Sequence, residues 1–133
     1  CGYLILVGKI MSEIKTVKCH CGGFEAEISL PDGLKNVLRC NCSICAKKGA
    51  IMVILGQGKF KITKGNDLLT VYQFHSKVAK HYFCSVCGIY THHNPRKDVK
   101  LTGVNVSCIE NVDPFELKDI KILDGKNHPL DQK

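Results

Sequence analysis

No stretch of this chain sustains helical periodicity, which excludes a helical bundle and points to a mainly β fold. Nor is any apolar run long enough to cross a membrane. Tyr-Leu-Ile-Leu-Val at residues 3–7 falls far short of the roughly 20 residues a spanning helix needs, so no membrane partner is expected. Tryptophan is absent, and no strand is rich enough in aromatics to stack nucleic-acid bases. Acidic residues are the minority, 12 against 19 Lys and Arg, giving a formal charge of +7. The basic residues are dispersed rather than massed in a block or tail, so nucleic acid is a disfavoured partner. The opening residues carry no basic region and no small-residue cleavage site before Met11. Met11 is the expected start, and residues 1–10 are expected to be a leader or appended remnant.

Cysteine is what the chain has in excess: nine residues, seven of them in three tight groups. These are Cys19-His-Cys21, Cys40-Asn-Cys42-Ser-Ile-Cys45 and Cys84-Ser-Val-Cys87. Such spacing lets one turn aim two or three sulfurs at a single point, as a thiophilic metal requires. A disulfide framework is the competing reading. It belongs to short secreted chains with even cysteine counts, and these spacings favour zinc. An iron–sulfur cluster is a lesser alternative. Redox chemistry by Cys84 and Cys87 alone would want a βαβ setting, which the pattern lacks. Seven thiols make one closed four-thiolate zinc site and leave three, and three ligands with an open position mark a reactive zinc. Seven thiolates and two zinc ions would bring the charge down to about +4, weakening any case for an anionic polymer as partner.

Along the chain, Phe24, Ala26, Ile28 and Leu30 alternate with polar residues, the period-two signature of a half-buried strand. Gly22-Gly23 predicts a tight turn between two strands. Cys45 to Gly49 predicts a single helical turn closed by the glycine. Ala50 to Leu55 is a continuous apolar run and reads as a strand buried on both sides. Short strands are predicted around Phe60–Ile62, Leu69–Phe74, Ala79–Phe83, Ile89–His93 and Leu101–Val106, with an edge strand at Ile120–Ile122. Cys108 continues the alternation of Val104 and Val106 and reads as a core thiol. The expected architecture is several short-stranded antiparallel sheets around zinc sites, with residues 11–133 as a single zinc-binding β domain.

The three motifs stand in the order of a known family. Cys-His-Cys-Gly at 19–22, Cys-Asn-Cys-Ser-Ile-Cys with Gly49-Ala50 at 40–50, and Phe-Cys-Ser-Val-Cys-Gly at 83–88 resemble the glutathione-dependent formaldehyde-activating family. That family includes centromere protein V and shares a zinc-bound β fold with Rab exchange-factor-like proteins. The resemblance runs from about Lys15 to Val106. It implies a structural zinc on Cys19, Cys21, Cys84 and Cys87, and a second zinc on Cys40, Cys42 and Cys45, which with one protein ligand fewer is expected to be the labile, catalytic one. The activity implied joins glutathione and formaldehyde into S-hydroxymethylglutathione, a carbon–sulfur lyase reaction in reverse. One departure is Asn41, where the family often has histidine.

An open zinc position suits a glutathione thiolate, and formaldehyde then needs little more than a nucleophile held ready. Lys47 and Lys48, and Arg96 with Lys97, are candidates to hold anionic glutathione or a related thiol adduct. His92 and His93 are candidate proton carriers or accessory ligands, of which an alternating strand turns only one inward. His20 is expected to point away from the metal. A cytoplasmic location is expected. The alternative function is a non-catalytic zinc module that binds a protein partner.

Overall fold

The computed structural model describes residues 14–31 and 33–127; the expectation for residues 1–10 lies outside them. The described residues form β1 (Ile14–Lys18), β2 (Glu25–Ser29), β3 (Leu38–Cys40), β4 (Met52–Leu55), β5 (Phe60–Lys64), β6 (Leu69–Tyr72), β7 (Lys80–Cys84), β8 (Tyr90–Asn94), β9 (Thr102–Asn105) and β10 (Lys121–Leu123). One short helix, α1 (Ser43–Lys48), follows β3. The strands make a three-stranded sheet in the order β1-β2-β5 and a seven-stranded sheet in the order β10-β3-β4-β9-β8-β7-β6. The fold is therefore mainly β. Every strand pair is antiparallel except β10 with β3, which is parallel. β10 returns to β3 from far along the chain, so no hairpin dictates its direction.

The main core lies between the sheets. Val17, Phe24, Ala26 and Ile28 face Val53, Leu55, Val104 and Val106 across it. The alternation predicted for β2 is realised, with Ala26 and Ile28 buried. The continuous apolar run of β4 also follows its pattern. Val53 and Leu55 enter the main core, whereas Met52 turns to a second cluster with Cys42 and Cys45. A run apolar on both faces needs cover on both faces, and here it has it.

β8 departs from the sequence expectation. Both His92 and His93 are buried, not one of the two. His92 stacks on Phe24 and Tyr82 and lies tilted against Phe60 in the main core, while His93 stacks on His81 on the opposite face. Alternation exposes every second residue only when one face is wet, and β8 lies inside the sheet with both faces covered.

The ring of His93 sits over Gly103, its partner on β9. A Cβ at Gly103 would clash with that ring, and the ring is too enclosed to swing away. Gly103→Ala is therefore expected to destabilise the fold by about 1–3 kcal/mol. Urea unfolding measures this, and an unchanged midpoint would show that His93 is not locked in place.

Candidate functional site

Two cysteine groups are assembled by the fold. Cys19 and Cys21 lie in the turn between β1 and β2, where Gly22 has a φ of 77° and its N–H bonds to the Cys19 carbonyl at 3.2 Å. Cys84 ends β7, and Cys87 follows in a turn that Gly88 closes, with a φ of 76° and an N–H bond to the Cys84 carbonyl at 2.8 Å. Both glycines take a left-handed conformation that a side chain would resist. One turn comes from each sheet, so this group ties the two sheets together. Its four sulfurs all lie within 4.8 Å of one another.

The donor set fits zinc. The Sγ atoms of Cys19 and Cys21 are 3.5 Å apart, and those of Cys21 and Cys84 are 3.7 Å apart. Thiolates about 2.3 Å from a tetrahedral zinc stand about 3.8 Å from one another. Backbone N–H groups of Gly23 and Phe24 point at Cys21 and Cys19, each at 3.4 Å, an arrangement that favours thiolates over thiols. Burial works against the Cys87 thiolate. Backbone N–H bonds from Cys21 and Ile89 outweigh it and bring its pKa down to about 6. His20, between the two ligand positions, is exposed.

Cys40 ends β3, Cys42 is the N-cap of α1 and Cys45 lies in its first turn. Gly49 ends the helix in a left-handed conformation, as its position predicts, and its N–H bonds to the Cys45 carbonyl at 3.0 Å. The three sulfurs lie within 4.8 Å of one another, and this group too could hold a metal ion. Hydrogen bonds from Cys40 and Cys45 hold the Cys42 thiol far below its usual pKa, while Cys45, donor to Cys40 and Cys42, is held far above. Three adjacent thiols cannot all ionise without a cation, and a bound one would let them do so together. The eight described cysteines are all free. Cys108 is one of them: buried, apart from both groups, its thiol facing the Tyr90 carbonyl at 3.5 Å.

The second group opens onto a cavity of about 350 Å³. Arg96 and Lys97 line it, as do His81 and His93. His81 is a residue that sequence reasoning missed, because nothing local marks it. Its Nδ1 lies 2.8 Å from the Lys48 ammonium, whose nitrogen also sits 3.7 Å from the centre of the Tyr90 ring. Burial brings the Lys48 pKa down to about 8, against the pull of the three thiols. Burial, with the Lys48 charge adding to it, brings His81 down to about 4. His93 falls to about 3 for the same reasons in the same order, and its Nδ1 pairs with the Tyr90 hydroxyl at 2.6 Å. His92 falls to about 4 through burial and sits in the main core, apart from this cavity. The two lysines thus separate: Lys48 turns inward, while Lys47 is exposed and lines neither of the described cavities.

Asn41 also acquires a place. Its side-chain amide donates to Asp124 at 3.2 Å, and its carbonyl oxygen accepts from the Lys126 N–H at 2.9 Å. These bonds pin the segment after β10 against the cysteines, with Gly125 beside Cys40 and Cys42. The Gly125 carbonyl in turn accepts from Arg96 at 2.9 Å.

Comparison with known proteins gives a consistent picture. Residues 14–121 match the family model described as glutathione-dependent formaldehyde-activating enzyme. A Podospora anserina protein, named as a candidate glutathione-dependent formaldehyde-activating enzyme, is 30% identical over 94 residues, which is 68% of this chain. The chain spans only 44% of the length of that relative. A crystal structure of a Rhodobacter sphaeroides protein is 40% identical, with a TM-score of 0.77, and covers 81% of this chain and 99% of its own. No helix among the described residues is long and apolar enough to cross a membrane.

Proposed function

The chain belongs to the glutathione-dependent formaldehyde-activating enzyme family, and from that premise we propose that it is a zinc-dependent carbon–sulfur lyase acting on a glutathione–aldehyde adduct of the S-hydroxymethylglutathione kind. The observation that carries this reading is the placing of Cys40, Cys42 and Cys45 at the wall of a cavity that Arg96 and Lys97 also line. Thiolate chemistry and anion-holding cations thus meet in one space. Cys19, Cys21, Cys84 and Cys87 hold a structural zinc, and the three-cysteine group holds a second, more labile one. A zinc ion held by Cys40, Cys42 and Cys45 would supply positive charge that lowers the pKa of a nearby substrate thiol. A cytoplasmic setting, where thiols stay reduced, fits this reading.

The remaining work falls to the chain's own groups. Arg96 and Lys97 attract the carboxylates of glutathione. A protonated Lys48 can only donate, so Nδ1 of His81 accepts from it and the ring proton rests on Nε2. In the synthetic direction the glutathione sulfur attacks the aldehyde carbon. A C–S bond forms, the C=O π pair moves to oxygen, and that oxygen takes a proton. His81 Nε2–H is the group that hands it over as Lys48 passes a proton to Nδ1, and the proton that the glutathione thiol gives up restores the charge of Lys48, so none is gained or lost overall. The stack with His93, 5.5 Å between ring centres, holds the His81 ring in place.

Exchange-detected NMR on an equilibrating mixture of glutathione, formaldehyde and hydroxymethylglutathione tests the reading. The zinc-loaded protein is expected to speed exchange at least 100-fold over the uncatalysed rate, in the range of positioned acid–base help. Equal rates with and without the protein would overturn it.

A further inference from the structure

The cavity beside Cys40, Cys42 and Cys45 is a poor match for the smallest aldehyde. Its walls include Leu38, Ile44, Met52, Ile54, Phe74 and Leu123. They come from β3, α1, β4, β10 and the segment after β6, so four elements and one connection converge on one apolar space. A hydroxymethyl group has one carbon and one oxygen, and fills little more than the roughly 30 Å³ of a water molecule. The cavity has about 350 Å³. The peptide of glutathione would take up part of this space beside His81, His93, Arg96, Lys97 and Asp124, and it leaves the six apolar side chains without a partner, because its amides would lose water against them.

We infer that the substrate is the thiohemiacetal of a longer aldehyde, whose apolar chain of several carbons lies against these walls. The inference rests on the lyase reading above and names its aldehyde class. Three chemistries along the cavity commit to this occupant. The cysteine group takes the sulfur, Arg96 and Lys97 take the carboxylate end of the thiol, and the apolar walls take the aldehyde's alkyl chain. The reaction stays balanced with a thiol and an aldehyde alone. The sulfur bonds to the carbonyl carbon, and the carbonyl oxygen takes up the proton the thiol loses. Cleavage reverses both steps.

Stable thioethers test the class without relying on turnover. Binding of S-methyl, S-propyl, S-butyl and S-hexyl glutathione to the zinc-loaded full chain is measured by calorimetry. The dissociation constant is expected to fall about fourfold for each methylene buried, until the cavity is full. Ile54→Thr, at a half-buried wall position, should weaken the longer chains and leave the methyl compound unchanged. A series flat to within twofold would overturn the inference, and so would failure of every member to bind. If the series is flat while hydroxymethylglutathione exchange is accelerated, the lyase reading stands and the longer aldehyde falls. If the series is steep while no aldehyde adduct is exchanged faster, the apolar binding site stands and the lyase reading falls.

Discussion

Cys84→Ser is expected to lose one zinc ion per chain and to unfold at room temperature. Cys84 is fully buried at the end of β7, and its sulfur stands 3.7 Å from that of Cys21 in the turn after β1. The four sulfurs tie the three-stranded sheet to the seven-stranded one, across the main apolar core that the two sheets share. For a structural zinc the free energy of binding is folding free energy, about 10–16 kcal/mol in small zinc domains. A domain of this size is stable by only about 5–15 kcal/mol. Weakening the site by one ligand therefore removes much of the margin. Serine cannot repair it, because an unionised hydroxyl is a poor partner for zinc at neutral pH. Zinc content and thermal melting by circular dichroism read the outcome. A variant with its full zinc content and an unchanged melting temperature would exclude the four-cysteine site.

The two halves of that site were legible in the sequence because their determinants are local, whereas their union across 63 residues rested on the resemblance to a known family. Each pair of thiols sits in one turn, and each turn carries its glycine. The same holds for Cys40 to Cys45 and the short helix that Gly49 closes. The β4 run was legible because an apolar stretch without alternation demands two covered faces, and the fold supplies them. β8 was misread for the converse reason. Residues 92 and 93 are not apolar, so nothing along the strand announces that both faces are covered. Their burial is imposed by Phe24 and Phe60 on one side and by His81 on the other.

What the sequence could not show was pairing over long separations. Lys48 and His81 lie 33 residues apart, and a lysine at the end of a short helix reads as a solvated charge until the Tyr90 ring and the imidazole are seen beside it. Asn41 is a second case. By pattern it is only a missing histidine, yet it reaches 83 and 85 residues along the chain to fix the segment that packs on Cys40 and Cys42. Arg96 and Lys97 were candidates by chain position alone. The fold brings both to the cavity, and it leaves Lys47 outside.

Cys42→Ser separates the two cysteine groups by function. Cys42 is buried at the N-cap of α1, and its own N–H lies 3.4 Å from the Cys40 sulfur. Serine is nearly isosteric and is itself a favoured N-cap, so the helix should persist at a cost of about 1 kcal/mol. The four-cysteine group is untouched, and the sheets stay joined. What disappears is the third sulfur at the cavity wall. Two thiolates would hold zinc far less well than three, and on the lyase reading the charge that would stabilise a substrate thiolate would go with the ion. Exchange between glutathione and its hydroxymethyl adduct should fall to the uncatalysed rate, a loss of at least 100-fold, while the melting temperature moves by only a few degrees. Cys108→Ser is the matched control, since Cys108 is equally buried but lies apart from both groups. It should keep the full rate. A Cys42→Ser protein that still accelerates exchange would place the chemistry away from this cavity. A protein that also loses its fold would mean that the three-cysteine group, and not the four-cysteine group alone, holds the sheets together.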